Sequence, residues 1–119
     1  MQTQRTELLN LLPAHGWRLA GLEENLEWWA DEMWRLESVW SPVGTGAYIT
    51  FLVDPMFDGN RRKGEAVWAA GASRAKPLSR RQAEEEFTLT LGQGWKNRLP
   101  DLFDHLSSLR SENKNGGNQ

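Results

Sequence analysis

From Glu32 the chain alternates, with Trp34, Leu36, Ser38 and Trp40 on one side of an extended segment and Arg35 and Glu37 on the other. A period of two marks a half-buried strand. The pattern stops at Ser41-Pro42, and Pro42 to Gly46 has the composition of a turn. Ala47 to Val53 then runs almost continuously apolar and is the best candidate for a central strand. Asp54-Pro55 breaks it, Asp58-Gly59-Asn60 turns the chain again, and Glu65 to Ser73 supplies another strand around Val67 and Trp68. Upstream, Trp17 to Glu23 reads as a first strand with Trp17 and Leu19 on one face. Between these strands, Leu26, Trp29 and Met33 fit one helical face, so the spacing predicts a single helical turn over Asn25 to Met33. Connections this short favour an antiparallel meander.

Three stretches carry helical spacing. Leu8, Leu9, Leu11 and Leu12 give the first an apolar side, and Pro13 limits its extension. Ser79 followed by Gln82 fits a capping box, after which Ala83, Phe87 and Leu91 recur every four residues up to Gly92. A helix is expected there. Phe87 to Leu91 also alternates with strand-forming residues, which keeps a short strand as its rival. In the last stretch Trp95, Leu99, Leu102, Phe103, Leu106 and Leu109 lie on one helical side. Pro100 belongs in a first turn, so the helix starts near Asn97 and Trp95 leads into it. The polar residues 111–119 read as a disordered tail behind a single domain over 1–110. The fold class is α+β: a two-layer sandwich with an N-terminal helix, a three- or four-stranded antiparallel meander and one or two C-terminal helices.

Composition narrows the chemistry. The 119 residues include no cysteine, which removes disulfides, thiolate metal sites and cysteine nucleophiles. A reducing, cytoplasmic setting is expected, since residues 1–9 lack the features of a signal peptide. No apolar run approaches the roughly 20 residues that span a bilayer, so no membrane association is expected. Seven tryptophans require a partly aromatic core or an exposed aromatic platform. The net charge of −2 hides a split: residues 1–60 hold three basic against nine acidic side chains, whereas residues 61–81 hold seven basic and one acidic.

Catalytic constellations find no support. His15 and His105 lack partners at metal-ligand spacing, and His105 beside Asp104 reads as solvated near a helix end. Asp54 to Asn60 places oxygens unlike a calcium loop, because Pro55 and Phe57 interrupt it. No serine elbow, phosphate loop or dinucleotide fingerprint occurs. A non-enzyme without metal or cofactor is therefore expected. An aromatic, charged sheet face would suit contact with another protein or a second copy, and Trp28, Arg35, Glu37 and Trp68 are its candidates. Secretion-chaperone-like and immunity-protein-like roles both fall under that reading. The alternative is an anion or phosphate site on Arg61, Arg62, Arg80 and Arg81, although the net negative charge argues against nucleic acid. A pocket of tryptophan and paired carboxylates for a small molecule or carbohydrate is the third reading.

Overall fold

The computed structural model describes residues 4–40, 46–54, 56 and 66–116, with the side chains of 24–27 and 110–116 excepted. Arg61 and Arg62, and the turns expected at 42–46 and 58–60, lie wholly or largely outside the described residues. Five strands run antiparallel in the order β1 (Trp17–Glu27), β2 (Ala30–Ser38), β3 (Gly46–Val53), β4 (Val67–Ser73) and β5 (Phe87–Thr90). Helices α1 (Gln4–Leu11), α2 (Arg80–Glu84) and α3 (Leu99–Gly116) complete the α+β fold, with 3-10 turns at Leu12–His15 and Trp95–Arg98.

Alternation along the strands decides the core. Trp34 and Leu36 on β2, Ile49 and Phe51 on β3, and Leu89 on β5 face one way and meet Leu8 and Leu12 with Leu102 and Leu106 of α3. Each buried leucine of this helix-covered face contributes about 1.5–3 kcal/mol by removal from water. Pro100 occupies the first turn of α3 and Trp95 is buried in the 3-10 turn before it, so the proline does mark the helix start. The helix continues to Gly116, into the stretch read from sequence as a polar tail.

On the opposite, second face α2 packs over part of the sheet. Its smaller core joins Trp29, Ala30, Leu52 and Ala69 to Ala83 of α2. That approach is close: a Cβ on Gly71 of β4 would stand 1.9 Å from the Ala83 carbonyl oxygen. Ser79 caps α2 by accepting a hydrogen bond from the Gln82 N–H at 3.2 Å, and Gln82 Oε1 accepts one from the Leu78 N–H at 2.7 Å.

Three expectations are revised. The stretch Asn25 to Met33 is a hairpin, not a helical turn, with Trp28-Trp29 as the reversal between Glu27 and Ala30. The helix expected over 80–91 ends at Glu84, and the rival strand follows as β5, raising the strand count to five. His105 is half-buried, stacked on Phe87 at 5.6 Å between ring centroids, with Nε2 at 3.3 Å from Glu86 Oε1.

Candidate functional site

The β1–β2 hairpin forms one edge of the sheet, because among the described residues β1 pairs with β2 alone. Eleven residues long, β1 presents a row of outward backbone groups, the ready template for a further strand. Two irregularities interrupt it, one at Ala20 and one between Glu24 and Glu27. Such bulges twist an edge and shorten the stretch able to pair.

The first bulge is held by an ion cluster on the second face. Arg18 Nη2 lies 2.6 Å from Glu37 Oε1, and Arg35 Nη1 lies 3.2 Å from Glu37 Oε2. Arg35 Nη2 also donates to the Ala20 carbonyl at 3.1 Å. The guanidinium crosses Gly21, where a Cβ would come within 3.3 Å of Arg35 Nε. Hydrogen bonds from Arg18 and then Arg35 hold the Glu37 carboxyl below its ordinary range. Further along β1, Glu23 Oε1 meets Lys76 Nζ at 3.1 Å, which brings the segment after β4 across this face.

At the other end of the hairpin a bulge makes the anchor. The β2–β3 register slips between Ala30 and Glu32, so the adjacent carboxylates of Asp31 and Glu32 both reach Arg5 of α1. Arg5 Nη1 lies 2.7 Å from Asp31 Oδ2 and 2.9 Å from Glu32 Oε1, with both carboxylates buried. The same guanidinium stands 5.6 Å over the Phe51 ring. One cation thus ties the hairpin to the helix layer.

Apolar exposure concentrates on this hairpin and its C-terminal continuation. Leu22 is 46% exposed, Trp28 67%, Val39 53% and Trp40 65%. Trp40 rests one ring face on Gly16, whose φ of 81° and absent side chain permit the contact: a Cβ there would fall 2.3 Å from the ring. The Gly16 carbonyl accepts the Val39 N–H at 2.8 Å. Trp28, by contrast, sits at the hairpin tip. Elsewhere Leu11, Met56 and Leu78 are the exposed large apolar side chains among the described residues.

The expected contact residues do not form one patch. Arg35 and Glu37 share a cluster, but Trp28 lies roughly 20 Å away along β2 at about 3.3 Å per residue. Trp68 is half-buried against the α2-side core, its indole Nε1 buried without a hydrogen-bond partner. Arg80 pairs with Glu84 at 2.9 Å on α2, and Arg81 beside it is exposed. Sequence reasoning missed Leu22, Val39 and Trp40. The even side of the β2 pattern included Trp40, but only the position of the helices decides which end of that side is left uncovered.

A concavity of about 450 Å³ opens between the end of α1 and the start of α3. Leu11, Leu99, Pro100 and Phe103 give it an apolar floor, and the His15 ring stacks flat on Phe103 at 3.7 Å. Lys96 at its rim is paired with Glu7 at 2.8 Å. Among the described residues no group of three or more His, Asp or Glu side chains could hold a metal ion, and no helix is long and apolar enough to cross a membrane. No protein-family model matches the chain, and no curated protein or solved structure matches it either.

Proposed function

We propose that this protein is a non-catalytic interaction module that docks another polypeptide on its β1–β2 hairpin. The observation that carries the reading is the coincidence of a long edge strand, unpaired on its outer side among the described residues, with exposed Leu22, Trp28, Val39 and Trp40 on or beside the same hairpin. An edge supplies main-chain hydrogen bonds and its flanking apolar side chains supply anchors, which together make a strand-addition site. The basic segment supports an anion site less well, since Lys76 and Arg80 are in ion pairs with Glu23 and Glu84.

Site-resolved photocrosslinking tests it. A photoreactive phenylalanine analogue is placed at position 22, 28 or 40 and, as controls, at 56 or 78, in the cell that makes the protein. Hairpin positions should give discrete protein adducts that the control positions, which are more exposed, do not. Equal yields from all five positions, or none from the hairpin, would end the proposal.

A further inference from the structure

We infer that the polypeptide docked on β1 is a second copy of this chain, paired antiparallel to the first about a two-fold axis at Leu22; the inference rests on the hairpin reading above. The argument starts from how charge is laid along the edge. On the second face β1 carries Arg18, paired with Glu37, at one end and Glu23, paired through Oε1 with Lys76, beyond the bulge, with Gly21 between them. Arg35 of β2 lies across Gly21 with its side chain 48% exposed. The cluster of Arg18, Arg35 and Glu37 keeps one net positive charge, and in an antiparallel copy the Glu23 carboxylate, held only by the half-exposed Lys76, is brought to it.

Register makes this specific. With the axis at Leu22, Leu22 stands opposite its twin, and Gly21 of one copy stands opposite Glu23 of the other. Gly21 has no side chain to fill that place, so the opposing carboxylate can reach the guanidinium lying over it. The two Leu22 side chains, each 46% exposed in the single chain, become cross-strand neighbours on the helix-covered face. A two-fold axis perpendicular to the sheet leaves both helix layers on the same side. The bulges at Ala20 and before Glu27 confine it to a few residues per chain, which makes a small and therefore weak interface.

The test is sedimentation velocity on the full chain from roughly 5 to 500 µM, a range suited to a weak interface, with amide exchange read at both ends. A monomer–dimer equilibrium with protection gained over residues 19–24 is the expected result. Glu23→Arg and Arg35→Glu should each weaken the dimer about tenfold by placing like charges together, and an equimolar mixture of the two should restore it. Leu22→Lys, which touches no ion pair, should weaken it as well. Circular dichroism confirms that each variant is folded. A monomer at the highest concentration, a dimer indifferent to Leu22→Lys, or a mixture that fails to recover overturns the inference. Adducts to other proteins from positions 22 and 28 alongside a monomeric chain would leave the docking reading standing while this one falls.

Discussion

The two edges of the sheet are built in opposite ways. At the β5 edge the strand is four residues long, and α3 lies against it through the stack of His105 on Phe87, with Arg98 5.3 Å over the same ring. At the β1 edge the strand is eleven residues long, among the described residues bulges and charged side chains stand guard, and Leu22 is 46% exposed. Covering an edge and blunting it are alternative defences against unwanted pairing. Where covering is absent and apolar side chains remain exposed, the edge is available for contact.

The largest expected effect is at the hairpin's anchor. Arg5→Met removes the guanidinium from two buried carboxylates and should cost about 3–5 kcal/mol in urea unfolding. A loss near zero would mean that the hairpin does not depend on this clamp. Next is the part of the second face under α2: Gly71→Ala drives a methyl against the Ala83 carbonyl and should cost about 3 kcal/mol, with α2 displaced in amide spectra. A well-tolerated alanine would show that α2 is loosely held.

A smaller pair of changes compares the edges directly. Phe87→Ala strips the cover from β5 and should cost about 1–2 kcal/mol, discounted from a core phenylalanine because the ring is half-buried. Leu22→Ala, measured on dilute protein, should cost less than about 0.5 kcal/mol. Equal losses would erase the distinction between the two edges.

The smallest effect concerns Glu37. Its carboxyl is held below its unfolded value of 4.5, so its contribution is present above that pH and is lost as pH falls through the lower folded value. Because the cluster is exposed, Glu37→Gln should flatten the acid limb of the stability curve only slightly, and superposed curves would mean the arginines contribute nothing there.

What could be read from the sequence follows the same division. Strands β2, β3 and β4 and the helix α3 were legible because each buries one consistent set of side chains, as Trp34 and Leu36 do on β2. The hairpin reversal was not, because Trp28-Trp29 has none of the glycine or asparagine that usually marks a two-residue turn. The bulge at Asp31 also breaks the alternation that would have revealed the start of β2. The spacing of Ala83, Phe87 and Leu91 misled for a different reason. Ala83 packs into the second-face core, whereas Phe87 and Leu91 pack on the helix-covered side, so their regularity does not belong to one surface. Of the site, the ion cluster of Arg35 and Glu37 was visible as the polar side of β2. The free edge was not, since which strand is left unpaired depends on tertiary order.

The helix layer has a consequence for synthesis. Its principal cluster joins Leu8 and Leu12 from the first helix to Leu102, Leu106 and Leu109 from the last. A chain emerging from the ribosome can close each hairpin of the meander as its strands appear, since every strand pairs with a sequence neighbour. Its largest apolar surface stays open until α3 leaves the exit tunnel. The nascent sheet must therefore wait for α3 before its principal apolar face is closed.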